Sequence, residues 1–191
     1  SDLITFWSRD FDGNYFPHAF FTLRGTPDAG GPPVDAVYGF TAKSVTPALL
    51  FGNVGGRIER PKPGYMEKAH VRFSRVMTDA QYQGVVALVR AWDERSGGDS
   101  TYNLGKRNCV TFVREAARAA GIATVDFPKL MKKPGQYLIA VAAANADAIT
   151  PIEKMGREWL PTLTPIAGAI EPVAVERSDP GTVKGRKPAG D

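Results

Sequence analysis

The sequence is poor in the residues that staple or metallate a fold, with one cysteine and two histidines among 191 residues. A single thiol excludes an internal disulfide and is compatible with synthesis in a reducing compartment. One cysteine and two distant histidines lack the spacing of a zinc site, and no acidic loop resembles a calcium loop. Neither a metal nor a cofactor is therefore expected. The GG pairs precede no lysine or serine in the register of a phosphate-cradling loop, and the G-x-S-x-G turn of many serine hydrolases is absent. No apolar run reaches the length needed to cross a bilayer, so no membrane span is expected. The opening stretch SDLITFWSRDF has neither the basic-then-apolar pattern of a signal peptide nor an initiator methionine, which leads us to expect a processed or truncated chain.

What the chain does contain is typical of a globular protein. Hydrophobic residues make up 43% and charged residues 23%, which argues against both disorder and a membrane protein. The length suits one domain with an appendage. A formal net charge of +4 favours anionic surfaces such as cell-wall polymer or lipid headgroups. Lysine and arginine are scattered among acidic residues, with no basic stripe of the kind a nucleic-acid groove requires, so no nucleic-acid partner is expected.

Along the chain, PHAFFTL (17–23) reads as a strand with His18, Phe20 and Thr22 on one face. A Gly/Pro loop separates it from AVYGFTA (36–42), a second strand expected to run antiparallel to the first. GGRIERP is a short strand candidate, and AHVRFSRVM (69–77) a further strand. Thr78 and Gln81 fit a capping box and Met77 with Tyr82 a hydrophobic staple, so a helix is predicted from Asp79, with Tyr82, Val85, Val86, Val89 and Trp92 on its buried face. A second helix is predicted after Asn108, a good N-cap, with Cys109, Phe112, Val113, Ala116 and Ala120 as its apolar stripe and Gly121 as its left-handed stop. QYLIAVAAANA (136–146) is a third helix candidate. Beyond about residue 148 the periodicity fades, and ERSDPGTVKGRKPAGD is polar enough to be a flexible tail. The expected organisation is a domain over 1–147 and a partly flexible C-terminal extension over 148–191.

The lone cysteine falls in the first turn of the second predicted helix. There a thiol meets backbone amides that lack intrahelical partners and the positive end of the helix dipole, which together favour a thiolate and can receive an oxyanion. The alternative is a buried cysteine packing as a small hydrophobe. A nucleophilic cysteine needs a base. His18 opens an apolar strand from which an imidazole can reach over a helix start, whereas His70 shares its strand face with Arg72 and Ser74, a solvated pattern. His18 is therefore the preferred base.

PHAFFTL followed by VYGFTA, a long helix and then YNLGKRNCVTFVREAARAAG resembles the circularly permuted papain-like cysteine hydrolases, which include NlpC-related cell-wall amidases and endopeptidases and lecithin-retinol acyltransferase-like enzymes. The resemblance covers about residues 15 to 145, and its sharpest part is N-C-x-x-F-V at 108–113. It implies an α+β, permuted papain-like (NlpC-like) fold, with a small antiparallel sheet packed against helices and the cysteine at a helix N-terminus. It further implies Cys109 as nucleophile, His18 as general base, and a third polar group on the strand after the histidine that orients the imidazole. That strand offers Tyr38 and Thr41, with Asp35 just before it, and Glu59 on the short strand is another candidate. Tyr38 is the expected third catalytic residue, with Thr41, Asp35 and Glu59 left open and an ordinary strand aromatic as its alternative reading.

The resemblance implies a cysteine amidase or endopeptidase that hydrolyses peptide bonds in bacterial peptidoglycan. The alternatives are a lipid acyltransferase or thioesterase on the same scaffold, and a non-catalytic interaction module. With no signal peptide, the hydrolase reading leads to a monomeric antibacterial effector, made in the cytoplasm and exported to the periplasm or a target-cell envelope. Its partners would be the peptidoglycan substrate, an immunity protein and a secretion machinery.

Overall fold

The computed structural model describes residues 1–181. Alternating apolar residues build a seven-stranded sheet in which every paired strand is antiparallel, in the order β6-β4-β3-β2-β1-β5-β7. The strands are β1 (Asp2–Arg9), β2 (His18–Gly25), β3 (Val34–Ala42), β4 (Val54–Glu59), β5 (His70–Met77), β6 (Thr101–Tyr102) and β7 (Thr150–Met155). The helices are α1 (Pro63–Glu67), α2 (Asp79–Ala91), α3 (Cys109–Ala119), α4 (Pro134–Ala144) and α5 (Gly156–Trp159). The protein is thus α+β, with a larger antiparallel sheet than its short strand signals suggest.

Two cores divide the faces of the sheet. Phe6, Phe21, Phe40 and Phe73 point to the face covered by α2, α3 and α4, where they meet Val85, Val89, Phe112, Val113, Leu138 and Val141. Trp7, Phe20, Val71, Tyr65 and Met66 form a smaller cluster on the other face. Alternation along β2 therefore sends Phe21 and Phe20 to opposite sides, and His18 to the side of Phe20.

Helix α3 is held by Phe112. Its ring stacks on Phe21 at 5.5 Å between centroids and lies 5.4 Å from Trp92 and 6.0 Å from Phe40. Burial of such a ring contributes about 1.5–3 kcal/mol. The anchor sits three residues after Cys109, so the start of the helix has a firm position above the sheet. Gly121 closes α3 with φ of +83°, a left-handed stop that residues with a side chain adopt only at a cost.

The structure departs from the sequence reading at both ends. SDLITFWSRDF supplies β1, a central strand paired on both sides with β2 and β5. Past residue 147 the chain stays on the domain: β7 joins the sheet beside β5, and Trp159 meets Trp7 edge-on at 5.4 Å. Ile170 then bridges to Val34, and Arg177 and Ser178 bridge to Arg60. The predicted flexible tail begins inside this docked stretch, and its part from 182 onward lies outside the described residues. No helix among the described residues is long and apolar enough to cross a membrane.

Tyr38 ties this C-terminal strap to the sheet. Its hydroxyl donates to the Val173 carbonyl at 2.7 Å and accepts from the Val173 amide at 2.9 Å, in the buried core. Burial pushes its pKa above the ordinary tyrosine value despite the hydrogen bond to Val173, so the hydroxyl stays protonated. Tyr38→Phe would strand both backbone groups of Val173 and is expected to lower unfolding stability by about 1–3 kcal/mol, measurable by urea denaturation.

Candidate active site

The turn before α3 is built to present one residue. The Asn103 side chain accepts from the amides of Gly105 and Lys106, both at 3.1 Å, and its carbonyl accepts from the Arg107 amide at 2.9 Å. The Arg107 guanidinium lies over the Trp92 ring at 3.8 Å, which pins the turn to the domain. Asn108 then caps the helix as expected, accepting from Val110 and Thr111 amides at 2.9 and 3.0 Å. The Asn108 amide nitrogen donates to the carbonyls of Leu104 and Met131 at 2.8 and 2.9 Å, fastening the helix start to the loop before α4. Cys109, the first residue of α3, is 9% exposed and lines a cleft of about 530 Å3.

His18 lines the same cleft and is close enough to Cys109 for the two to interact electrostatically. The two residues singled out from the sequence as nucleophile and base therefore stand side by side. The hydrogen-bond partner of the imidazole is Glu59, whose Oε1 contacts His18 Nε2 in full burial. The imidazole lies nearly parallel to the Phe20 ring at 6.0 Å and edge-on to Tyr65 at 6.4 Å. Tyr65 is in turn braced by Arg9, whose guanidinium sits 4.3 Å from its ring and donates to its carbonyl at 3.2 Å.

Among the candidates for the orienting group, it is Glu59 that meets the imidazole. Tyr38 pairs with Phe21 in the β2–β3 register, so its side chain goes to the helix-covered face, where Val173 occupies its hydroxyl. Thr41 lines the cleft but has no hydrogen bond to His18, and Asp35 is an exposed partner of Arg24 at 3.6 Å. The β3 residue on the imidazole's own side is Gly39, paired with Phe20 on one flank and Glu59 on the other. Because Gly39 has no side chain, the Glu59 carboxylate reaches across it from β4. A Cβ at Gly39 would clash with that carboxylate and lie 2.9 Å from His18 Nε2 and 3.1 Å from Phe20 Cβ. Nothing in the local sequence around Gly39 signals this need, since a strand glycine reads as a bulge or a weak point. His70 is remote from this arrangement, facing Asp10 at 3.7 Å from β5.

The electrostatics favour a charged imidazole. Burial works against the charge, but the Glu59 carboxylate and hydrogen bonds to Cys109 and Glu59 outweigh it, raising the His18 pKa from 6.5 to about 10. The second oxygen of Glu59 is buried without a hydrogen-bond partner among the described residues, so His18 is the group that compensates the carboxylate. Cys109 thus has a charged imidazole and the start of α3 as its surroundings. Tyr102, absent from the residues chosen on sequence, also lines the cleft, and burial together with the charge of Cys109 raises its pKa.

The remaining walls are mainly apolar, contributed by Pro17, Phe40, Ala42, Val45, Leu49 and Leu104 among others. Lys132 stands at the rim, and none of the described lining residues is acidic. Among the described residues no group of three His, Cys, Asp or Glu side chains is placed to hold a metal ion. No family model matches this chain, and no curated protein or solved structure matches it either.

Two outcomes test this geometry. Gly39→Ala should separate His18 from Glu59 and slow alkylation of Cys109 by iodoacetamide at least tenfold near neutral pH, while far-ultraviolet circular dichroism stays native-like. The raised His18 pKa contributes stability that is fully present below pH 6.5 and is lost as pH rises through about 10. Urea midpoints should accordingly fall across that alkaline window, and Glu59→Gln should flatten the fall.

Proposed function

We propose that the protein is a cysteine acyl hydrolase or acyltransferase of permuted papain-like type, with Cys109 as nucleophile, His18 as acid and base, and Glu59 as the group that orients His18. The observation that carries this reading is the meeting of a helix-start cysteine and a buried histidine at one cleft, with a buried carboxylate against the histidine. A cysteine that merely packed would need neither the imidazole nor the opening.

In the proposed reaction the Cys109 sulfur attacks the carbonyl carbon of an ester, thioester or amide, and the carbonyl oxygen becomes an oxyanion. The Cys109 amide makes no hydrogen bond among the described residues, and it lies at the N-terminus of α3, where such charge is stabilised. His18 passes its proton to the leaving group as the carbon–leaving-group bond breaks, which leaves a thioester on Cys109. Water or another acceptor then gives a proton to His18 and attacks the thioester, so that the acyl group departs and the thiolate–imidazolium pair is restored.

The apolar walls favour a fatty-acyl group as the part of the substrate that enters the cleft, and its volume of about 530 Å3 falls in the range of small-molecule sites. The second reading, a peptidoglycan amidase or endopeptidase acting as an exported effector, draws support from Lys132 at the rim and from the net positive charge, both suited to the carboxylates of an anionic wall polymer.

Incubation of the reduced protein with fatty-acyl thioesters, phospholipids and purified peptidoglycan, each followed by mass spectrometry, separates the two. Release or transfer of acyl chains, lost by more than a thousandfold in Cys109→Ala, is expected. Changed muropeptides with untouched lipids would favour the second reading, and a wild-type protein inert on all three would overturn the enzyme proposal.

A further inference from the structure

The mouth of the cleft carries large apolar side chains that the fold leaves uncovered. Between β3 and β4 a short 3-10 turn, Pro47–Leu50, turns Leu49 toward the core and Leu50 outward, with Phe51 next to it. Leu50 is 71% exposed and Phe51 85% exposed, and across the cleft Phe16 is 45% exposed. Phe16 and Leu50 both line the opening and Phe51 follows Leu50 directly in the chain, so these side chains gather at one entrance and are not scattered over the surface. Isolated exposed apolar residues need no explanation, whereas a cluster around a functional opening marks a contact surface.

Among the described residues the charge of the same rim is of one sign. Lys132 lines the cleft, and its ammonium group reaches to Gly105, placing it beside the exposed Lys106. Lys133 is exposed as well, and among the described residues no aspartate or glutamate lines the opening. Apolar side chains with lysines around them, on one side of a molecule, match the two attractions that hold a protein at an anionic lipid surface. A protein partner would gain from the apolar patch, but the lysines without an acidic counterpart favour a surface that supplies negative charge over an area.

We propose that the cleft mouth, through Leu50, Phe51 and Phe16 with Lys106, Lys132 and Lys133, docks on an anionic phospholipid bilayer, so that an acyl chain enters the cleft directly from the membrane. This rests on the acyl-transfer reading of the site for its purpose, but the docking itself is measurable without chemistry.

The test uses the full chain carrying Cys109→Ala and vesicles of phosphatidylcholine with or without phosphatidylglycerol, read by co-sedimentation. Binding to the anionic vesicles, weakened by salt and by their replacement with neutral ones, is expected. Phe51→Ser should reduce partitioning about tenfold, and Lys106→Glu should reduce it at least fivefold. Neither residue lines the cleft, so wild-type protein carrying either change should cleave a soluble short-chain thioester at the unchanged rate. Absence of binding to anionic vesicles, with soluble thioester still cleaved, overturns the docking surface and leaves the site reading intact. Binding that depends on Phe51 and Lys106 in a protein inert on every acyl substrate keeps the surface and overturns the chemistry. Self-association through Phe51 in place of vesicle binding, seen by analytical ultracentrifugation, would also overturn the proposal.

Discussion

The site depends on the contact between His18 and Glu59 across the bare backbone of Gly39. A buried carboxylate is costly unless a positive charge accompanies it, and a buried imidazole is ordinarily pushed toward its neutral form. Placed together, each removes the other's penalty. The imidazole is thereby oriented and kept protonated next to Cys109. Every neighbouring element supports that contact: Phe20 and Tyr65 hold the ring on two sides, Arg9 braces Tyr65, and the register of β2, β3 and β4 sets the distance that the carboxylate must span.

The side of Cys109 is organised by different means. The turn before α3 has its backbone amides satisfied by Asn103, its arginine stacked on Trp92, and its cap tied to two carbonyls. Phe112 then holds the helix on the sheet. The histidine and the cysteine thus come from separately rigid parts, the start of the central strand β2 and the start of α3, which meet at the cleft. Catalytic groups held on packed elements keep their mutual geometry better than groups on free loops.

The C-terminal strap adds a further constraint. Tyr38 grips Val173 inside the core, the Asp179 carbonyl accepts from Arg57 at 2.9 Å, and Pro180 and Gly181 end beside the cleft. One wall of the opening is therefore formed by a segment whose sequence, rich in proline and polar residues, has no secondary-structure period of its own.

Local patterns in the sequence were enough to locate the parts. The capping box at Thr78 and Gln81, the Asn108 cap, the Gly121 stop and the apolar stripes of α2 and α3 depend on neighbours within one or two helical turns, so α2 and α3 begin where those signals stand. The prominence of Cys109 and the preference for His18 over His70 also came from local environment, a helix start and an apolar strand. Which carboxylate or hydroxyl faces the imidazole was beyond such reasoning, because Tyr38 and Glu59 differ in sheet face and in cross-strand register, and register is a property of several strands at once. The same holds for β1, whose short alternation became legible only between two partners, and for the docked strap, whose bridges to Val34 and Arg60 join residues far apart in the chain. The sequence alone determined α2, α3 and the prominence of Cys109 and His18, since those follow from nearest neighbours. Only the tertiary structure decided that Glu59 reaches over Gly39 and that the cleft is walled by apolar side chains, because both arise from distant segments packing together.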